Sequence, residues 1–380
     1  MKVPRDSAPQ AGPIHFELKP NAAPLGDDER TKRITAPGFG RVFTEHMVSI
    51  PWTEGRGWHD AQLVPYASLE MDPAMMALHY GQSIFEGLKA YPQPDGSIAT
   101  FRPEQNARRF QRSARRLALP ELPERTFVEA LEVLVGQDRE WMPRGGEESL
   151  YLRPFMFASE VGLGVRPAGE VLFLVIASPV GAYFPRGVQP VRVWLSLDYV
   201  RAAPGGTGEA KCAGNYAASL IAQAQATDEG CDQVVWLDAA ERRWVEEMGG
   251  MNLYFVYGTG PAARVLTPAL TGTLLAGVTR DSLLTLASDL GYQVEEGRID
   301  IDSWREGCAD RSLTEVFACG TAAVITPVGS VKSRTGQWSV GDGEPGPVTM
   351  RLREALLGIQ HGSAPDAHGW MHTLVAGGGR

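Results

Sequence analysis

The longest strongly apolar run in the chain, Val171 to Ala177, is seven residues long and stops at Ser178-Pro179. A helix that crosses a bilayer needs roughly 20 such residues, so none is expected, and the run reads instead as a buried strand ending at Pro179. The fold must then be assembled from short apolar segments separated by turn signals, for which 43 Gly and 27 Pro supply the punctuation. With 380 residues, 43% of them hydrophobic, the chain can bury a real core and is long enough for two domains or three.

The first residues, Met1-Lys2-Val3-Pro4-Arg5-Asp6, lack the apolar stretch of a secretory signal, and the cytoplasm is the expected location. A formal net charge of −9 argues against nucleic acid or an anionic membrane as the main partner. The five arginines between Arg108 and Arg116 do not reverse this, because only Phe110 among them offers an aromatic surface for stacking. Cys212, Cys231, Cys308 and Cys319 are widely spaced, without a C-x-x-C or a nearby histidine pair, so they read as reduced thiols and no metal site is expected.

Residues 1–24 show little apolar periodicity and are expected to form a flexible arm with no structure of its own. Residues 25–180 are expected to make a small N-terminal domain, 181–190 a loop rich in turn formers, and 191–380 a large C-terminal domain. In the first domain, Gly87 to Tyr91 and Ser97 to Phe101 flank Pro94-Asp95-Gly96 as a hairpin. Pro103 opens a helix with Ala107, Phe110, Ala114 and Leu117 on one face, and a second helix spans about Thr126 to Trp141. In the second domain, helices are expected near Tyr216 to Ala226, Arg280 to Leu290 and Val348 to Leu357, with strands at Gln233 to Leu237 and Met251 to Tyr257. Helices and strands are mixed without regular alternation, which points to an α+β class.

Chemistry concentrates first in Gly205-Gly206-Thr207-Gly208-Glu209-Ala210-Lys211-Cys212-Ala213-Gly214-Asn215-Tyr216. A nucleotide P-loop needs Gly before and Ser or Thr after its lysine, and Ala210 and Cys212 stand there instead. A lysine shielded among small residues suits Schiff-base formation with an aldehyde such as pyridoxal phosphate, while a solvated loop lysine is the alternative for this segment alone. Glu247, two residues before Gly249-Gly250 and at the head of an apolar strand, is placed to hold a pyridine nitrogen protonated, or is simply an acidic strand end. Gly277-Val278-Thr279-Arg280 opens a helix whose exposed N–H groups and dipole favour an anion, with Val278 and Thr279 as donors.

The run from Glu247 through Asn252, Val265-Leu266-Thr267 and Leu275-Ala276-Gly277-Val278-Thr279-Arg280 resembles the signature of the class IV pyridoxal-phosphate aminotransferases. More narrowly, His79 to Ala90, Tyr151-Leu152-Arg153-Pro154, Lys211 to Tyr216 and Gly320-Thr321-Ala322 look like the branched-chain amino acid aminotransferases, in that family's order and across nearly the whole chain. The resemblance implies a two-domain fold type IV architecture, a smaller N-terminal α/β domain and a larger C-terminal one with the active site between them, and a homodimer. It implies pyridoxal 5'-phosphate as cofactor, with Lys211 the Schiff-base lysine, Glu247 the pyridine-nitrogen partner and Tyr216 a donor to the phenolic oxygen. Arg109 would meet the phosphate, with Arg108 the alternative if the helix register slips, and Thr321 would also touch it.

For substrates the resemblance implies branched-chain L-amino acids, glutamate and their 2-oxo acids. Tyr80, Phe85 and Tyr151 would line the apolar part, Arg153 would take the γ-carboxylate of glutamate with help from the Tyr151 hydroxyl, and Thr321 and Ala322 would offer N–H groups to the α-carboxylate. A D-amino acid aminotransferase and an aminodeoxychorismate lyase share the fold and are the nearest alternatives, but the Tyr151-x-Arg153 pair and the Tyr80 to Gly87 segment favour the branched-chain reading. Some family members carry a redox C-x-x-C after Gly-Thr-Ala, whereas Ala323-Val324-Ile325-Thr326 stands here, so thiol regulation of that type is not expected.

Overall fold

A computed structural model describes residues 14–184 and 187–378, and residues 1–13 of the expected arm lie outside them. The chain divides into two compact units, the first comprising residues up to Ala182 with Ala210–Ala213 and Ile359–Arg380, the second Tyr183–Glu209 with Gly214–Gly358. The first unit therefore takes the larger share of the chain, the reverse of the expected order of sizes. The physical reason lies at the C-terminus, where Met371–Val375 pairs antiparallel with Ile98–Phe101 and joins the first unit's sheet.

That sheet carries ten strands among the described residues, antiparallel except at the edge where Glu17–Leu18 pairs parallel to Gln62–Pro65. The arm thus contributes a short strand at Glu17–Leu18, contrary to expectation, because an open sheet edge offers its backbone groups a partner. The expected strand at Val171 runs further, over Glu170–Val180, pairing with Ser149–Ala158 through Pro179. The hairpin is present as Leu88–Pro92 and Ile98–Phe101.

Two helices cover one face of this sheet. Pro103–Arg116 starts at a proline whose missing N–H costs nothing at a helix start, and buries Ala107, Phe110 and Ala114. Glu124–Gln137 follows, burying Phe127, Leu131 and Leu134. At the centre the Phe173 ring lies 5.6 Å from Phe110, 6.3 Å from Phe127 and 6.4 Å from Trp58. Truncating this fully buried ring removes its transfer energy and leaves a cavity that three aromatics line. Phe173→Ala is expected to cost about 3–5 kcal/mol, seen as a lowered midpoint in denaturant unfolding; a midpoint within error of wild type would contradict the packing described.

The second unit has a nine-stranded mixed sheet among the described residues, with Val191–Leu195 parallel to both Gln233–Leu237 and Val324–Ser333. Trp304, fully buried on the helix Ile301–Ala309, packs edge-on against Phe255 and Trp338 at 5.2 and 5.7 Å. The expected helix from Tyr216 to Ala226 is two, Ala213–Ala217 and Leu220–Asp228. Pro347–Gln360 is anchored at its start by Glu315, whose buried carboxylate accepts the N–H groups of Val348 and Thr349 at 3.0 and 2.8 Å, satisfying donors a helix end leaves open. No helix among the described residues is long and apolar enough to cross a membrane.

Candidate active site

In the first unit the strand Ser149–Ala158 alternates strictly over its central residues. Leu150, Leu152 and Met156 are fully buried in the core, and Tyr151, Arg153 and Phe155 stand half-buried on the other face. Two residues apart on that face, Arg153 and Tyr151 meet, with Arg153 Nη2 donating to the Tyr151 hydroxyl at 3.0 Å. The Arg153 guanidinium lies 4.8 Å from the centre of the Phe85 ring, and Lys211 Nζ lies at the same distance, 4.8 Å, so one aromatic ring supports both cations. Arg153 Nε is buried without a hydrogen-bond partner, a donor left over for a carboxylate.

The Lys211 backbone is fixed from both sides, its N–H donating to Ser113 Oγ at 2.9 Å and its carbonyl accepting the Phe85 N–H at 3.0 Å. Ser113 belongs to a polar stripe of the helix Pro103–Arg116, with Arg109 one turn and Asn106 two turns before it and all three buried. Asn106 and Arg109 both serve Glu86. Arg109 Nε and Nη2 donate to Glu86 Oε1 and Oε2 at 2.7 Å each, and Asn106 Nδ2 donates to Oε2 at 2.8 Å. Burial pushes the Glu86 carboxyl up, but the charges of Arg109 and Lys211 and the bonds from Arg109 and Asn106 outweigh it, and the net shift is downward. Arg108, by contrast, points outward to Glu124 at 3.0 Å, so the helix register places Arg109 on the inner face.

Two neighbours complete this group. A Cβ on Gly87 would lie 2.1 Å from the Tyr151 hydroxyl, so only glycine permits the approach. Phe39, which sequence reasoning did not single out, sets its ring 5.0 Å from Tyr151 at 70°. Tyr80 stands apart, since its contacts are a hydrogen bond to the Leu163 carbonyl and the His79 ring rather than Phe85, Tyr151 or Arg153.

In the second unit Glu247 lies on the strand Val245–Met248 and is 1% exposed. Its Oε1 accepts the Leu275 N–H at 2.6 Å and Asn252 Nδ2 at 3.3 Å, and its Oε2 meets Arg201 Nε at 2.9 Å. Arg201 also donates from Nη2 to the carbonyls of Gly208 and Thr273 at 3.0 and 2.6 Å. Its partners are scattered along the chain, which hid it from sequence reasoning. Asn252 Nδ2 donates to the Leu275 carbonyl at 3.0 Å, and a Cβ on Gly277 would lie 2.1 Å from its Oδ1. The loop before the helix Val278–Asp289 is thereby clamped to Glu247.

That helix starts at Gly277 with no side-chain cap, so the first-turn amides of Val278 and Thr279 face out of the helix end where an anion is favoured. Arg280 turns inward instead, donating from Nη2 to the Pro268 carbonyl at 2.9 Å and to Glu296. Tyr216 lies beside Gly250, where an added Cβ would sit 3.4 Å from its ring. Thr321 and Ala322 form the turn between the strands Leu313–Gly320 and Val324–Ser333, whose pairing begins at Gly320 with Val324. Val324 has φ of 61°, a left-handed conformation costly for a β-branched residue and of the kind that collects where a binding turn must hold one shape. All four cysteines are free, and Cys319 is buried so deeply that its thiol is pushed well above the ordinary range.

The sequence profile described as Amino-transferase class IV matches residues 83–331. A probable branched-chain-amino-acid aminotransferase of Streptomyces coelicolor is 67% identical over 361 residues, covering 95% of this chain and 99% of that protein. Among solved structures, the branched-chain amino acid aminotransferase of Escherichia coli matches with a TM-score of 0.70 at 29% identity, over 86% of this chain and 99% of that one. The T.th. branched-chain amino acid aminotransferase with pyridoxamine 5'-phosphate matches with a TM-score of 0.69 at 31% identity over the same shares, 86% and 99%.

Proposed function

Because the chain belongs to the class IV aminotransferase family, we propose that it catalyses the reversible transfer of an amino group between L-leucine, L-isoleucine or L-valine and 2-oxoglutarate, with pyridoxal 5'-phosphate as cofactor. The observation that carries this reading is the Phe85 ring holding Lys211 Nζ and the Arg153 guanidinium each at 4.8 Å. An amine beside an apolar wall suits a branched aliphatic substrate, and a cation within reach on the same wall suits the second carboxylate of glutamate.

The donor set fits the cofactor's chemical parts. A primary amine at Lys211 answers its aldehyde, the buried carboxylate of Glu247, charge-balanced by Arg201, answers its ring nitrogen, and the first-turn amides of Val278 and Thr279 with Arg109 answer its phosphate. Tyr216 would donate to the phenolic oxygen and Thr321 to the phosphate. When bound, pyridoxal 5'-phosphate supplies the aldehyde that holds the amino group and the ring that takes up electrons when the substrate carbon loses its proton. Lys211 Nζ first releases that aldehyde and then moves the proton to and from the substrate carbon. Glu247 keeps the ring nitrogen protonated. Phe85 and Tyr151, with Tyr80 from its separate position, give the apolar surface; Arg153 and the Tyr151 hydroxyl take the γ-carboxylate, and the amides of Thr321 and Ala322 the α-carboxylate.

A homodimer goes with this reading. Leu69, Met71, Leu78, Leu163 and Val165 expose large apolar surface on segments joined through the pairing of Met75 with Val161, and Val165 is 84% exposed. Sedimentation at micromolar concentration should give twice the chain mass.

Absorbance between 300 and 500 nm tests the function directly. A visible cofactor band should fall when L-leucine is added and return with 2-oxoglutarate, and turnover of D-alanine in place of L-leucine would move the assignment to a D-amino acid aminotransferase. Gly87→Ala is expected to push the Tyr151 hydroxyl away from Arg153, because the new Cβ would otherwise sit 2.1 Å from it. A displacement on that scale should lower kcat/KM for 2-oxoglutarate by roughly 10- to 100-fold, with a smaller loss for the branched-chain substrates; equal losses would take Arg153 and Tyr151 out of carboxylate recognition.

A further inference from the structure

We propose that Glu86 is a positioning residue for this reaction, aiming Arg109 at the cofactor phosphate. The inference rests on the function proposed above.

Glu86 is fully buried, with 0% exposure, and Arg109 is 4% exposed. A guanidinium on a long flexible stem can adopt many rotamers, and a two-point fork onto a carboxylate selects one of them. Here both contacts of the fork are 2.7 Å. The carboxylate is itself immobile, held by Asn106 Nδ2 at 2.8 Å and by the Gly87 N–H at 3.3 Å. Its backbone is equally fixed, since the Glu86 N–H donates to the Pro154 carbonyl at 2.7 Å and the preceding residue, Phe85, bonds to Lys211. Glu86 therefore lies at the junction of three elements: the Phe85–Gly87 segment, the polar stripe Asn106–Arg109–Ser113, and the Lys211 segment that Ser113 holds.

A buried ion pair serves stability no better than apolar residues of the same volume. What an apolar pair cannot do is orient a cation. Substituting Glu86 should accordingly be felt at the phosphate end of the cofactor, and the ring end should be indifferent to it.

The experiment compares pyridoxal 5'-phosphate with pyridoxal, which lacks the phosphate, by titrating each into full-length protein freed of cofactor and following absorbance and tryptophan fluorescence. In wild type the phosphate makes binding tighter by a measurable ratio. Glu86→Gln, which keeps the shape and removes the charge, is expected to shrink that ratio by about tenfold and to leave pyridoxal affinity unchanged. Glu86→Asp keeps the charge on a shorter stem and should shrink it less; it carries the test if the glutamine variant does not fold, with thermal unfolding of the unliganded protein as the check. Adding Arg109→Met to Glu86→Gln should lower the ratio no further than Arg109→Met alone. Equal weakening of both ligands, or an unchanged ratio, would overturn the proposal and leave Glu86 a structural ion-pair partner. Failure of wild type to bind pyridoxal 5'-phosphate at all is a separate outcome and would instead defeat the function on which it rests.

Discussion

Lys211→Ala should reduce amino transfer between L-leucine and 2-oxoglutarate by about 10⁴-fold or more, because in the proposed reaction one atom, Nζ, would serve as both the tether and the proton carrier. The substitution is unusually clean. The backbone bonds of residue 211 to Ser113 and Phe85 do not involve its side chain and survive in the variant, so the segment keeps its place. The Phe85 ring loses one of its two cations, a contact worth about 0.5–2 kcal/mol, too little to unfold the unit. Steady-state turnover with a folded variant confirmed by circular dichroism checks this, and transfer at the wild-type rate would show that another base does the work.

Glu247→Gln should lower kcat by about 10²- to 10³-fold with little change in KM, since in the proposed reaction the lost charge would act on the ring nitrogen during proton loss and not on substrate binding. It should also destabilise the second unit. Arg201 is 7% exposed, and removing its ion-pair partner leaves a buried guanidinium with the carbonyls of Gly208 and Thr273 and the more distant Glu246, a change that typically costs about 3–5 kcal/mol. Glu247→Asp separates the two effects, restoring the charge and much of the stability while the Leu275 N–H, now 2.6 Å from Oε1, loses its close acceptor. A glutamine variant with unchanged kcat and a lowered unfolding midpoint would make Glu247 structural only.

Local pattern was enough for many elements. Gln233–Leu237 and Met251–Tyr257 follow end to end from their apolar runs, and Pro94-Asp95-Gly96 announces its hairpin because a turn needs those residue types whatever surrounds them. The last strand, Met371–Val375, was invisible because its partner Ile98–Phe101 lies in the opening third of the chain and no local signal records a pairing at that range. At the site, Lys211 and Glu247 stand out through their glycine-rich neighbours, and the outward turn of Arg108 follows from helix geometry only once the buried face is known. Glu86 and Arg201 escaped for a common reason. Their meaning lies in the partners they meet, and an acidic or basic residue seen alone reads as surface.

The return of Met371–Val375 to the first unit's sheet has a consequence for how the protein is made. Domains usually fold in the order of synthesis, yet here the sheet begun early in the sequence receives a strand made some 270 residues later, and it also waits for Ala210–Ala213. Until then Ile98–Phe101 presents an unpaired edge while some 270 further residues are translated. The second unit, apart from its loan of four residues, is continuous and can close first. The nascent chain therefore completes its parts in reverse, and the emergence of Met371–Val375 becomes the step that seals the edge.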